Sequence, residues 1–342
     1  MTSQFLYIGP YSPGETCRMR GERLKELLPD WDFQVVDTRI SQHESSHWSV
    51  SLGWRYHIGP FISKLNRFVL NSLTQSKYEI IWVDKGIMLT PRTIEELRKR
   101  AKVLVHFTPD PAFLYHRSRF FFKSMALYDF LITTKSYEIE QYHSAVSART
   151  RVLYATQGYE EAIHHPYENA SEKQSMVFIG HHETEREKIL QYLLDHQVPV
   201  KLAGINWEDF CRRNERGTLT FLGERVVADA YGQAISGARY SWGALSRWVP
   251  EKHTTRTFEI PACGTALITE HNEEIDQFFR EDEAIFYRTP EEMLEKIRYY
   301  DTHLDELAEL TVRGQQRVIN DGRSYRAILQ RLLSEIMTKL PQ

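Results

Sequence analysis

The sequence predicts an α/β protein built from two doubly wound parallel-sheet domains of similar size that face each other across a cleft. Three observations carry this reading. Short apolar runs closed by glycine or a turn alternate with stretches of helical period, the alternation lapses once near the middle, and the second half then repeats the scheme of the first. Composition agrees with a packed chain: 342 residues, 42% hydrophobic, 26% charged and 12% aromatic, enough for two domains and too apolar for a disordered or low-complexity protein. Forty-three Lys and Arg against 46 Asp and Glu give a net charge of −3, which disfavours a surface built to coat nucleic acid.

Phe5 to Ile8 reads as the first strand, closed by Gly9-Pro10, and Leu24, Leu27 and Leu28 then fall at helical spacing. Phe33 to Val36 is the second strand. Phe61 to Leu73 is helical, Tyr78 to Val83 is a buried strand, and Thr90 caps a helix that has Pro91 in its first position. Val103 to Phe107 and Phe130 to Thr133 complete the first sheet as expected from sequence. Residues 161–174 show neither period and read as a linker, so the expected division is 1–160, the linker, 175–322, and a terminal helix at 323–342 that crosses back toward the first domain. After the linker, strands are expected at Met176 to Ile179, Val198 to Leu202, Leu219 to Leu222, around Ala238, Ala266 to Thr269 and Ala284 to Tyr287. Helices are expected at Ile189 to Leu193, Val226 to Ile235, Thr255 to Cys263, Leu304 to Ile319 and Tyr325 to Leu340. Thr289-Pro290-Glu291-Glu292 spells a capping box ahead of one more helix.

The most informative segment runs from Glu251 to Ile268. A helix capped by Thr254 or Thr255 presents free backbone N–H groups and a positive dipole end to an anion, with Lys252 and Arg256 alongside, an arrangement suited to a diphosphate. Glu259, about a turn further on, has the two acceptor oxygens that a vicinal diol such as a ribose needs, and Gly264 ends the helix. Gly180, at the end of a strand, lets a ligand approach the backbone, and Arg186 is placed to reach a phosphate.

Glu251 and Glu259, followed by Ala262-Cys263-Gly264 and an apolar strand, resemble the nucleotide-sugar motif of GT-B glycosyltransferases, and the form Arg256-Thr-Phe-Glu259-Ile-Pro-Ala-Cys-Gly264 is similar to the CgeB-like (spore-maturation type) branch. The resemblance takes in Phe178-Ile-Gly180 with Arg186, Ala203-Gly204 with Trp207, and Phe278 and Tyr287. It covers most of 175–335, and the first half only in outline. It implies two Rossmann-like domains, a nucleoside-diphosphate sugar as donor on the second, an acceptor on the first, and transfer of the sugar to a glycan, protein or small molecule. It assigns Glu259 to the ribose and Glu251 to the sugar or phosphates. The usual small residues after the first glutamate are replaced by Lys252-His253-Thr254-Thr255.

Gly14, in the turn after the first strand, stands where such enzymes approach donor phosphates or acceptor. For the catalytic group the resemblance points to Val105-His106-Phe107-Thr108-Pro109-Asp110-Pro111, hence to Asp110 and His106, with Asp84-Lys85-Gly86 a weaker candidate. Leaving-group charge would be met by Lys252, Arg256 and Arg247 without a metal, and no cofactor is expected. Asp30-Trp31-Asp32 spells the carboxylate pair of metal-dependent GT-A enzymes but lies before the second strand next to Pro29, where it reads as a turn; the adjacent histidine pairs cannot share one helix face, and no G-x-G-x-x-G, P-loop, G-x-S-x-G or H-E-x-x-H occurs. Cys17, Cys211 and Cys263 are far apart, there is no basic leader and no run of about 18 apolar residues, and the expected location is the cytoplasm, where the Asn169-Ala-Ser171 sequon has no meaning. The alternatives to a glycosyltransferase are a sugar-nucleotide epimerase of the same plan and a non-catalytic sugar-binding or coat-associated protein. The sequence does not disclose the donor base, the acceptor or the oligomeric state.

Overall fold

The computed structural model describes residues 2–168, 173, 175–215 and 217–340. The chain divides into two compact units, Met1–Thr156 with Tyr325–Gln342, and Gln157–Ser324. The sequon at Asn169 and most of the second half of the expected linker lie outside the described residues. His164, by contrast, is buried within the second unit.

The first unit runs β1 (Gln4–Gly9), α1 (Thr16–Leu27), β2 (Asp32–Asp37), α2 (Thr38–His43), α3 (His47–Tyr56), α4 (Pro60–Asn71), β3 (Tyr78–Asp84), α5 (Pro91–Arg100), β4 (Ala101–Thr108), α6 (Arg119–Ser124), β5 (Phe130–Thr133), α7 (Ile139–Ala145) and β6 (Arg151–Tyr154). The second runs β7 (Met176–Ile179), α8 (Thr184–Asp195), β8 (Val200–Ala203), α9 (Glu208–Arg213), β9 (Leu219–Gly223), α10 (Asp229–Ser236), β10 (Tyr240–Trp242), α11 (Arg256–Ala262), β11 (Ala266–Glu270), β12 (Ile285–Tyr287), α12 (Pro290–Thr302) and α13 (Leu304–Asn320). Helix α14 (Tyr325–Met337) returns to the first unit.

Each unit holds one six-stranded sheet, in the orders β2-β1-β3-β4-β5-β6 and β12-β11-β10-β7-β8-β9, and the strand pairs are parallel. Both orders reverse direction once, between β1 and β3 in the first sheet and between β7 and β10 in the second. Loops leaving the carboxyl ends of strands diverge at such a switch point and leave room for a ligand.

Period-2 alternation decides which core each side chain joins. Phe5 and Tyr7 face the cluster of Trp82, Val105, Leu329 and Ile336, while Leu6 and Ile8 face that of Phe61, Leu65, Ile81 and Leu104. Helix α14 contributes Tyr325, Ile328, Leu329, Leu332, Leu333 and Ile336 to the first of these faces, at about 1.5–3 kcal/mol for each fully buried aliphatic side chain. Of the two terminal helices only α14 joins the first unit; α13 packs on α11 and β11 of the second.

Two of the expected hydroxyl caps form. Thr90 accepts the Thr93 N–H, and Thr289 accepts the Glu292 N–H at 3.2 Å. The return bond of the expected box is displaced by one residue, since the Glu292 carboxylate accepts the Arg288 N–H at 2.8 Å. The tenth strand begins at Tyr240, two residues after the expected position at Ala238, and α2, α3, α7, β6 and α9 are elements that the hydrophobic pattern did not announce.

Candidate functional site

The switch point of the second sheet is flanked by the loop after β7 and the long segment after β10. At the first, Gly180 donates its N–H to the Ala203 carbonyl at 2.9 Å, and its own carbonyl accepts the Trp207 indole N–H at 2.8 Å. Gly204 has a φ of +140°, and a Cβ there would lie 1.9 Å from the Gly180 carbonyl oxygen. The two strand ends therefore approach only because residue 204 has no side chain.

Glu183 precedes α8 and is 2% exposed. Its carboxylate stands 2.9 Å from Arg186 Nη1, one turn along, 3.3 Å from His181 Nε2, and accepts the Arg247 N–H at 3.0 Å, which ties the loop after β7 to the segment after β10. Arg186, 3% exposed, also donates to the His181 carbonyl at 3.1 Å. Its guanidinium lies 5.7 Å from the centre of the Phe178 ring, and that of Arg256 lies 5.9 Å from the same ring. Arg256 donates Nη2–H to the Ala244 carbonyl at 3.0 Å, and among the described residues no carboxylate comes within ion-pairing distance of it. The Nε–H groups of both arginines are buried and find no acceptor among the described residues. Burial first, and then the charge of Arg256, pulls the Arg186 guanidinium down to about 10, against the opposing pull of Glu183. Arg186 thus carries a like-charged neighbour as well as Glu183, an arrangement that an anion between the two guanidiniums would relieve.

Beside them is a cavity of about 480 Å³ lined by Arg247, Trp248, Glu251, Lys252, Glu270 and Asn272, with the intervening backbone. Glu251 accepts the Ser246 N–H at 3.0 Å, Arg247 Nη2 is 2.7 Å from Glu270, and the Lys252 carbonyl accepts from Asn272 at 3.0 Å. Burial raises Glu270 above the usual carboxylate range, against the opposing effect of Arg247. The exposed indole of Trp248 stacks on His181, with ring centres 5.2 Å apart.

Helix α11 corrects one expectation. Thr255 occupies the N-cap position but already has helical dihedrals (φ −58°, ψ −39°), so its hydroxyl makes no capping bond. The Thr257 hydroxyl accepts the Thr254 N–H at 3.1 Å instead. The helix is 7 residues long, and the positive charge here comes from guanidiniums more than from a dipole. Gly264 ends the helix in the left-handed region (φ +66°), as expected. Glu259 is buried, 5% exposed, and makes no ion pair with Arg256. Its Oε2 accepts the Tyr231 hydroxyl at 2.7 Å and its Oε1 stands 3.7 Å from His164 Nε2, so the cavity lining does not include it.

The first unit separates the remaining candidates. His106 does not emerge at the strand end. It is 1% exposed, stacked on Phe121 at 4.3 Å, and its Nε2–H donates to the Lys85 carbonyl at 3.1 Å. Burial pulls its imidazole down to about 4, so it is a neutral core histidine at pH 7. Alternation along β4 turns it inward, while Asp110 lies beyond the end of the strand. Asp110 pairs with Lys85 at 3.0 Å; burial opposes its ionisation, but Lys85, with His116 and Lys135, holds it below the usual range. Asp84 is fully committed inside: Arg20 binds it in two-pronged fashion at 2.8 and 2.9 Å, and Tyr7 donates to it at 2.7 Å. Gly14 adopts φ +81° in the turn before α1, in the other unit from Gly180, Gly204 and the arginines.

Sequence reasoning passed over Glu183, Glu270, Tyr231 and His164. The Glu183/Arg186 spacing of one helical turn and the position of Glu270 at the end of an apolar run were available signals. Nothing in the sequence brings His164 to Glu259. Among the described residues no group of three or more His, Cys, Asp or Glu is placed to hold a metal ion, and no helix is long and apolar enough to cross a membrane.

Residues 183–334 match the model of the glycosyl transferase-like family. The sequence matches none of the curated proteins. Among solved structures the chain is similar to sucrose-phosphate synthase from Thermosynechococcus elongatus (TM-score 0.71, 13% identity, 98% of this chain and 99% of that one). It is similar to HepE of Anabaena, solved with UDP and glucose (0.66, 13%, 98% and 100%), and to α,α-trehalose 6-phosphate synthase from Burkholderia multivorans (0.66, 9%, 99% and 97%). Two parallel six-stranded sheets flanked by helices, matched over nearly the whole chain, give this protein the GT-B glycosyltransferase fold.

Proposed function

We propose that the protein is a glycosyltransferase that takes its sugar from a UDP-sugar. The observation that carries the reading is the pair of guanidiniums of Arg186 and Arg256 at the switch point of the second sheet, the second without a carboxylate partner. A diphosphate supplies the absent negative charge, and the same groups stabilise it as it departs, so that transfer runs on arginine charge without a divalent ion. The glycine pair at 180 and 204 lets the donor backbone approach. The polar cavity holding Glu251, Glu270, Arg247 and Lys252 has the size and character of a site for the sugar, and Glu259, with Oε1 only loosely engaged by His164, takes the ribose. Solved proteins of the same fold are bound to UDP and glucose or to UDP-2-fluoro glucose, which favours uracil as the base. The segment from Arg256 to Gly264 supports a place in the CgeB-like branch, and Asp110 is the acidic group offered to the acceptor. Free thiols at Cys17, Cys211 and Cys263 suit a reducing cytoplasm.

Calorimetric titration with UDP, GDP and ADP tests the reading. UDP is expected to bind tightest, and release of UDP from UDP-glucose is expected to rise when an acceptor is added. Absence of binding by all three nucleotides would overturn it; turnover of the donor alone into an epimer would replace transfer with epimerisation.

A further inference from the structure

Trp48, Trp54, Tyr56 and Ile58 stand exposed on or just after α3, and Leu114 and Tyr115 stand exposed on the loop after β4. Trp48 is 62% and Tyr115 64% open to solvent. Helix α3 buries Ser49 and Gly53, so it turns small side chains inward and large apolar ones outward. Single apolar side chains scattered over a surface need no explanation, but a group of them on adjoining segments does. These two segments adjoin twice. Arg119 donates to the His57 carbonyl at 3.1 Å with the Phe120 ring 5.9 Å from the His57 ring, and Trp54 and His116 line one cavity.

Charge is distributed as unevenly. Residues 38–71 carry Arg39, Arg55, Lys64 and Arg67 against the single acid Glu44, and residues 111–128 carry Arg117, Arg119 and Lys123 against none, in a chain of net charge −3. Arg39 is paired with Glu15, and Lys64 with Glu44 at 3.2 Å. Among the described residues Arg55, Arg67, Arg117, Arg119 and Lys123 have no carboxylate partner. Trp48, Leu52 and Arg55 recur at i, i+4 and i+7, which puts an indole and a guanidinium on one face of α3.

The chemistry of this face selects its partner. A second copy meeting it about a two-fold axis would set cations against cations. Single-stranded nucleic acid would use the cations and the rings and leave Ile58 and Leu114 in water. An anionic bilayer answers every group: phosphates of the headgroups meet the guanidiniums, indole and phenol rings settle at the headgroup level, and the aliphatic side chains enter the acyl boundary. We propose that α3 and the loop after β4 form a docking face by which the protein rests peripherally on a bilayer of anionic lipid. The face lies wholly within the first unit and shares no residue with the nucleotide site of the second.

The experiment sediments the full chain with phosphatidylcholine vesicles, with and without about 30% phosphatidylglycerol. Binding is expected to the anionic vesicles, little to the neutral ones, and it falls as salt is raised. Arg55→Gln combined with Arg117→Gln is expected to weaken partition about 25-fold, roughly fivefold for each cation withdrawn. Trp48→Ser is expected to weaken it about tenfold. These side chains are exposed, so both variants keep the parent melting temperature, and Ile319→Ser, at an exposed apolar side chain of the second unit, partitions like the parent. Lipid brominated in its acyl chains is expected to quench tryptophan emission of the parent, and Trp48→Phe with Trp54→Phe, which keeps the face apolar, still binds while losing most of that quenching. Equal partition into neutral vesicles, partition into neither, or unchanged partition of the Trp48→Ser and double arginine variants overturns the inference. So does a dimer that Trp48→Ser dissociates, or a single-stranded oligonucleotide bound where vesicles are not. The sedimentation needs no nucleotide, so a protein that fails to bind UDP overturns the transferase reading and leaves this docking face standing.

Discussion

Replacing Arg256 with Ala separates a binding role from a structural one, because the two roles move stability and affinity in different directions. Among the described residues Arg256 makes one hydrogen bond, to the Ala244 carbonyl, and lies close enough to Arg186 to depress its affinity for a proton. The variant loses that bond, worth about 0.5–1.5 kcal/mol, and gains relief from a like-charge neighbour, so the melting temperature is expected to stay within about 3 °C of the parent. Nucleotide binding loses a charge-assisted bond worth about 1.5–3 kcal/mol, a Kd some 10- to 150-fold higher. At a UDP concentration 100 times the parent Kd the ligand adds about 2.7 kcal/mol to the parent, and about 0.3–1.4 kcal/mol to the variant. Scanning fluorimetry with and without UDP reads both quantities in one experiment. A variant that melts much lower without ligand yet binds UDP as before would refute the assignment, since Arg256 would then be a packing residue. Arg256→Lys is expected to recover little of the loss, because an ammonium lacks the planar fork.

Three further outcomes follow from the geometry. Asp84→Asn leaves the Arg20 guanidinium 1% exposed without its counter-charge, and removing one partner of such a pair costs about 3–5 kcal/mol; in a unit of this size the melting temperature falls by roughly 6–20 °C, with UDP affinity unchanged, whereas a stable but inactive variant would return Asp84 to the chemistry. His106 has a native pKa near 4 against 6.5 when unfolded, so the unfolded chain takes up its proton first on acidification. The stability tied to the neutral ring is complete above pH 6.5 and is lost as pH falls from 6.5 towards 4, by up to roughly 3 kcal/mol. His106→Phe is expected to flatten that part of the urea-midpoint profile and to spare turnover, and an unaltered profile would count against the buried neutral ring. Treating the protein with EDTA and then assaying UDP release should leave the rate unchanged, and restoration of a lost rate by Mg²⁺ or Mn²⁺ would show that the arginines do not suffice.

Most central strands were legible because they are buried runs in a parallel sheet, apolar on both faces, and such runs stand out against amphipathic helices. Several elements were not, and three of them show why. Helix α2 is 6 residues long and rests on Asp37, whose side chain accepts the Arg39 N–H, so its start is set by a cap with no apolar stripe behind it. In α3 the buried positions are Ser49 and Gly53, while Trp48, Trp54 and Tyr56 are exposed, which inverts the expected pattern. Strand β6 lies at the sheet edge with Arg151 and Tyr154 exposed. The donor segment was readable as charge and spacing, yet the reading placed its charge on a capped helix end, and backbone dihedrals at Thr255 decided otherwise. Glu259 shows the limit most clearly: its partners Tyr231 and His164 are 28 and 95 positions away, and nothing short of the fold puts them on one carboxylate.

The contrast between Asp84 and Asp110 gives a rule for telling scaffold from site in this fold. Both acids stand at the carboxyl ends of neighbouring strands in the first sheet, and both are salt-bridged. Asp84 has Arg20, Tyr7 and Cys17 around it and is 1% exposed, so every lone pair is answered from within and a ligand could reach it only by dismantling the core. Asp110 is paired with the flexible ammonium of Lys85, with about a quarter of its side chain open and a cavity beside it. A half-open ion pair of that kind contributes little to stability, on the order of 1 kcal/mol or less. The same comparison holds among the arginines, where Arg20 is answered by two carboxylate oxygens and Arg256 by none. On the proposed reading, the guanidinium of Arg256, without a carboxylate among the described residues, belongs to the donor site, and the fully answered pair of Asp84 and Arg20 belongs to the scaffold of the first sheet.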